Sequence, residues 1–329
     1  MRLLLLSGIF GQTAEYRATH MAETPDSLLA DGLAARGVDV TTAAPTFWGP
    51  RRPYDLVHLH HVTNACVRAL APGGPKLVFT PHTSGRLPWK HEAVRRSVEL
   101  RSDAVVVFTD DERGKLGSHV TRDKVEVIRS GLAVERFTST LHRAPRGDEP
   151  WEFLYVGQLI PCKRVHLALE LLRRVLATGR RARLRIVSHR ETLRPQLEEE
   201  ARRLGVAGHV EYVGTRTRDE MSAEMARAHV LLLPSDREAF STVTSEAAVC
   251  GLPVMLFDVA GTVEQVPMGW ERPAPADVET WMRLSLRRLD DYQREAARWY
   301  AFAPVMRERL STDRVVREHL SLYERVLRG

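Results

Sequence analysis

Short apolar runs alternate along the chain with stretches of helical periodicity. Residues 3–6, 38–43, 56–60, 77–80, 104–108 and 125–128 read as strands, with helical patterns between several of them, one ending near Arg36 and a basic one near Arg101. The rhythm starts again at residues 153–156. It continues through strands at 184–187, 210–212, 230–233 and 254–257, separated by helices over 165–177, 193–204, 219–228 and 242–250. Such alternation implies βαβ units and parallel sheets, so the fold class is α/β with two doubly wound, Rossmann-like domains.

Between the two series lies a polar stretch, residues 138–150, with two prolines and a glycine; it reads as an interdomain linker. From about Asp277 the pattern is helical throughout. The last helix carries Val315, Val316, His319, Leu320, Leu322, Tyr323 and Val326 on one face, enough to pack across another surface. The expected domains are 1–140 joined by 312–329, and 141–311.

A length of 329 residues suits two such domains. Cys66, Cys162 and Cys250 have no metal-type or redox-type spacing and argue for a reducing compartment. The leucine run at 3–6 is too short for a signal-peptide core and reads as a first strand, which makes a cytoplasmic location the expectation. No stretch is long and apolar enough to span a bilayer. The net charge of +6 is concentrated partly in residues 76–101, where Lys76, Arg86, Lys90, Arg95, Arg96 and Arg101 face only Glu92 and Glu99. That segment fits a solvated helix face, or a surface for an anionic acceptor or membrane. With no aromatic-interleaved basic stripe, a nucleic-acid partner is not expected.

Candidate chemistry concentrates in the second series. Glu238 and Glu246 stand around the change from the 230–233 strand, stopped by Pro234, to the 242–250 helix. In one continuous helix the two would lie about 12 Å apart along the axis. With a loop between them, both can serve a site at the carboxyl end of a parallel sheet. A carboxylate there accepts hydrogen bonds from paired sugar hydroxyls, and the backbone amides of Phe240, Ser241 and Thr242 at the helix start suit phosphate oxygens. The spacing alone fits equally a Glu246 that is solvated near a helix dipole. Earlier, Gly157 follows a strand and Lys163 comes six residues later, an arrangement suited to a diphosphate and also to an ordinary surface lysine. His58 and His60 share a strand face beside His61, but no acidic or thiol partner nearby in sequence completes a metal set, so no metal is expected.

These stretches together resemble GT-B glycosyltransferases, specifically glycosyltransferase family 4, the retaining group 1 enzymes. The resemblance rests on Phe153-Leu-Tyr-Val-Gly-Gln-Leu-Ile-Pro-Cys-Lys163, Leu231-Leu-Leu-Pro-Ser235, Glu238 through Glu246 and on to Val254, and Asp258-Val-Ala-Gly-Thr-Val-Glu264. The first half adds Asp55-Leu-Val-His-Leu-His60, Phe79-Thr-Pro-His82 and residues 127–137, and the chain ends in Tyr323-Glu-Arg-Val-Leu327. It implies a cleft between the domains and a terminal helix crossing back to the first.

The resemblance also assigns roles. Glu238 would hold donor-sugar hydroxyls, Glu246 the ribose, and Lys163 the diphosphate; His82 would face the sugar or orient the acceptor, and Gly11 would lie in a substrate loop. An arginine usual in the family is Gln158 here, and Arg216 is the candidate to supplement it or to line the nucleotide site. Ala239 and Ser241 replace family glycines, and Ser188-His189-Arg190 replaces a glycine-rich turn, which points to an unusual donor or pose. The implied donor is a nucleotide-sugar, UDP- or GDP-linked, with no metal or other cofactor. A compact first domain without a clear hydrophobic helix makes a small natural product or antibiotic-type molecule the expected acceptor; a lipid-linked or envelope saccharide, with peripheral membrane contact, and a catalytically weak binding partner are the alternatives.

Overall fold

The structure is a computed structural model and describes residues 1–13, 23–44, 54–63, 66, 69, 73–82, 88–117 and 119–329. It divides into two compact units, Met1–Ala133 with Arg309–Gly329, and Val134–Glu308.

In the first unit β1 (Arg2–Leu6), β2 (Asp39–Ala43), β3 (Leu56–His60), β4 (Lys76–Thr80), β5 (Ala104–Val107) and β6 (Val125–Val127) form one sheet in the order β2-β1-β3-β4-β5-β6. Every pair is parallel. Helix α1 (Pro25–Ala34) starts on Thr24, whose hydroxyl accepts from the Ser27 amide, with Pro25 in the first turn. Helices α2 (Trp89–Arg101) and α3 (Asp110–Lys115) follow, the latter capped by Thr109. The C-terminal helix, Thr312–Arg328, lays Val315, Val316, Leu322, Tyr323 and Val326 against Leu29 and Leu33 of α1. Gly32 permits that approach, because a Cβ there would stand 2.5 Å from Val316 Cγ2.

The second unit carries β7 (Trp151–Val156), β8 (Ala182–Val187), β9 (Val210–Gly214), β10 (Val230–Leu233) and β11 (Val254–Leu256) in the order β11-β10-β7-β8-β9, again all parallel. Its helices are α4 (His166–Ala177), α5 (Arg194–Arg203), α6 (Arg218–Arg227), α7 (Thr242–Cys250), α8 (Val278–Asp290) and α9 (Tyr292–Leu310), and the last runs past the unit's end at Glu308. Phe153, Tyr155, Leu184 and Ile186 from the sheet meet Leu169 and Leu172 of α4 and Trp281 of α8 in one core.

Residues 138–150 differ from a free linker. Ser139 Oγ donates to Val249 O and the Thr140 amide to Cys250 O, while His142 is buried, so the start of the segment is tied to the end of α7. The units divide at 133/134 and 308/309, where the sequence suggested 140/141 and 311/312.

In an open parallel sheet the crevice for a ligand opens where the strand order reverses, beyond the carboxyl ends of the strands. Those places are the β7/β10 boundary in the second unit and the β1/β3 boundary in the first.

Candidate functional sites

The segments after β7 and β10 both end at the second unit's reversal point. Gly157 closes β7 with its amide on Val187 O and φ of 154°, where an added Cβ would lie 2.9 Å from the Tyr155 hydroxyl. The chain then makes a short 3-10 turn, Pro161–Lys163, followed by Arg164 in the left-handed region at φ 49°. This turn delivers Lys163, whose Nζ donates to Glu238 Oε1 at 2.7 Å. The Asp236 amide donates to Cys162 O at 3.0 Å, so the two loops are also tied through backbone.

Ser241 is the N-cap of α7 and accepts from the Thr244 amide and hydroxyl. Its own amide donates to Gly261 O at 3.4 Å. Phe240 is half-buried just before the cap, and Thr242 is the first residue of α7.

Glu246 is not a solvated helix carboxylate. It is buried in α7 and accepts a hydrogen bond from Arg218 Nη1, the first residue of α6. Burial pushes its pKa up, and the Arg218 guanidinium opposes that. Arg216, the residue singled out from sequence, turns instead to Glu224 at 3.3 Å, and Glu224 is also held by Arg185. Sequence reading missed Arg218. The available signal was the capping box Thr217–Glu220, which starts α6 at Arg218. Gln158 Nε2 lies 3.4 Å from His189 Nε2, in the turn where the family glycines are replaced.

In the first unit, Gly11 ends a 3-10 turn begun after Ser7, and a Cβ there would meet Ala44 Cβ at 3.2 Å. His82 follows β4 with φ 49°, stacks on His61 at 4.1 Å between ring centroids and meets Phe108 edge-on at 4.7 Å. Its Nε2 faces His60 Nδ1 at 3.0 Å. His60 Nδ1 also lies 3.0 Å from Asp26 Oδ1. The acidic partner that the sequence did not reveal is therefore present: Asp26 comes from the first turn of α1, far upstream of the histidines. Burial drives the His82 imidazole well below its ordinary pKa, and the charges of His60 and His61 add to this. For Asp26 burial acts upward, but His60, His82 and the Ser7 hydrogen bond together outweigh it and the carboxyl is held below the usual range. His58 stands behind, with Nδ1 2.7 Å from the Tyr323 hydroxyl and Nε2 2.8 Å from Thr80 Oγ1.

Three cations of the basic segment are paired locally. Arg95 pairs with Glu92 and Glu99, Arg96 with Glu92, and Lys76 with Asp103; Arg86 lies outside the described residues. Among the described residues no helix is long and apolar enough to cross a membrane.

Two doubly wound units of this kind define the GT-B class, and solved structures of that fold superpose on the chain. Sucrose-phosphate synthase from Thermosynechococcus elongatus is 16% identical with a TM-score of 0.82, covering 99% of both chains. HepE of Anabaena, solved with UDP and glucose, is 16% identical with a TM-score of 0.76, covering 98% of this chain and 99% of its own. Residues 48–136 match Glycosyltransferase Family 4 and residues 139–272 match Glycosyl transferases group 1. The chain belongs to glycosyltransferase family 4. A curated relative, the D-inositol 3-phosphate glycosyltransferase of Streptomyces bingchenggensis, is 28% identical over 268 residues, 72% of this chain and 59% of the relative. The chain thus spans about three fifths of the length of such curated relatives.

Proposed function

We propose that the protein is a retaining glycosyltransferase that moves a sugar from a UDP- or GDP-linked donor to a hydroxyl of a small acceptor of the natural-product type. The observation that carries this reading is the Lys163–Glu238 contact at the second unit's strand-order reversal. It sets a cation for a diphosphate beside a carboxylate for sugar hydroxyls, one residue from each of the two loops that flank that crevice.

Donor binding separates the pair. Lys163 turns to the diphosphate, where it stabilises the charge of the leaving group, and Glu238 accepts from sugar hydroxyls. Glu246 takes the ribose hydroxyls with its oxygen not held by Arg218. In the transfer, the bond from the anomeric carbon to the diphosphate oxygen breaks while the acceptor oxygen bonds to the same face of that carbon. The acceptor's proton passes to a donor phosphate oxygen. The protein's part is positioning and electrostatics.

A soluble acceptor is favoured over a membrane-bound one because Arg95 and Arg96 are already committed to carboxylates on their own helix. The test is a thermal-shift screen of nucleoside diphosphates, followed by NMR of the product formed from the best-matched nucleotide-sugar. A rise in melting temperature with UDP or GDP and a product keeping the donor's anomeric configuration are expected. No shift with any nucleotide, or an inverted product, defeats the reading.

A further inference from the structure

We propose that Asp26, His60 and His82 form a binding site for one divalent transition-metal ion of the zinc class, held by two imidazole nitrogens and one carboxylate oxygen. Three atoms converge: Asp26 Oδ1 and His82 Nε2 each lie 3.0 Å from His60 Nδ1, and all three fall within 4.8 Å of one another. Zinc ligands at about 2.0–2.1 Å in a tetrahedron stand roughly 3.3 Å apart, close to the two 3.0 Å separations about His60 Nδ1, so small adjustments of the side chains admit the ion.

The convergence is poorly served by protons alone. His60 Nδ1 carries at most one hydrogen, yet two acceptors face it when His82 is unprotonated at Nε2. A cation satisfies all three atoms together. Imidazole with a single carboxylate suits zinc, cobalt(II), nickel(II) or iron(II) better than calcium or magnesium.

The surroundings are those of a built site. Ser7 Oγ donates to the other Asp26 oxygen and fixes the carboxylate, as partners behind a metal ligand do. Asp26 and His60 are buried, and His82 keeps only partial exposure. Ser7 follows β1 and His60 ends β3, so the triad sits at the first unit's strand-order reversal, where open α/β sheets place ligands. Among the described residues only three non-glycine residues have positive φ, and two of them, His61 and His82, frame this triad. Such strain persists where surrounding structure imposes it, and it collects at functional sites. Metal on His82 Nε2 leaves its proton on Nδ1, the tautomer able to donate a hydrogen bond outward.

The test is titration of the chelator-treated full chain with cobalt(II) chloride, followed by displacement with zinc, and X-ray absorption of the zinc-loaded wild type. One equivalent per chain is expected, with visible absorption bands that zinc abolishes and a first shell containing two imidazoles. Asp26→Asn and His60→Gln should each weaken binding at least tenfold, Ser7→Ala by roughly tenfold, and His209→Gln, at a remote surface site, not at all. No saturable uptake by the wild type overturns the proposal, as does an oxygen-only shell or equal affinity of the His60→Gln chain. Because uptake and absorption are read on the wild type, poor folding of a variant does not shield the proposal.

Discussion

Lys163 and Glu238, 75 residues apart in sequence, are joined through a 2.7 Å hydrogen bond between side chains that are both largely withdrawn from water. Each is the other's counter-ion in the absence of donor, so neither charge is left buried and alone.

Lys163→Ala removes the cation meant for the leaving diphosphate, and turnover should fall by about a hundredfold or more, the usual effect of losing one charge-stabilising donor. Glu238→Gln keeps the side chain's size and should also depress turnover. The double variant should lose less than the product of the two single losses, because the side chains touch. Steady-state kinetics on the four proteins checks this; undiminished turnover in Lys163→Ala defeats the assignment.

Arg218 should prove a supporting residue for Glu246. Arg218→Ala leaves a buried carboxylate without its guanidinium and should cost roughly 1–3 kcal/mol, tempered by the partial exposure of Arg218. Adding Glu246→Gln should recover much of that stability without restoring nucleotide affinity. Urea denaturation and nucleotide titration together distinguish this from a structural ion pair, which would leave affinity unmoved in both variants.

Which parts were legible in the sequence follows from how far each interaction reaches. The strands and the 242–250 helix were readable because apolar period and caps are local signals; Ser241, Gly251 and Pro253 mark that helix within a dozen residues. Glu238, Lys163 and His82 were singled out by the motifs that carry the family resemblance, each in a segment that follows a strand. The choice of Arg218 over Arg216 was not readable, since it depends on which side of α6 faces α7. Asp26 was missed for the same reason: its pairing with His60 exists only once α1 is laid beside β3. The positive φ at His61, His82 and Arg164 was not readable either, because none is a glycine, and the enrichment of histidine at positive φ is too weak to single out two positions among thirteen.

Gly261 should be as sensitive as the residues that face substrate, although no part of it reaches them. A Cβ at this position would lie 2.4 Å from Ala239 O and 2.5 Å from Glu238 O, both backbone atoms with little freedom to yield. Gly261→Ala should push the 238–241 segment away and weaken nucleotide-sugar binding by tenfold or more, with a destabilisation of about 1–3 kcal/mol. A crystal structure of the variant, or donor titration showing wild-type affinity, decides the point.

His142 makes an acid-sensitive contribution to stability. Burial lowers its pKa to about 4, against an ordinary value of 6.5, with the nearby His229 acting in the same direction. Nε2 has no hydrogen-bond partner among the described residues, and backbone hydrogen bonds to Ala228 and Cys250, which act upward, do not offset the burial, so the ring is held neutral. The unfolded chain binds that proton first as pH falls, so the histidine's stabilising effect is complete above about 6.5 and is lost progressively down to about 4. The full loss across that window is about 3 kcal/mol. His142→Gln cannot titrate, and its stability should fall less steeply than the wild type's between pH 6.5 and 4. Urea midpoints at half-unit pH steps, taken as the difference between the two proteins, cancel the other titrating groups; parallel profiles would show that His142 titrates alike in both states.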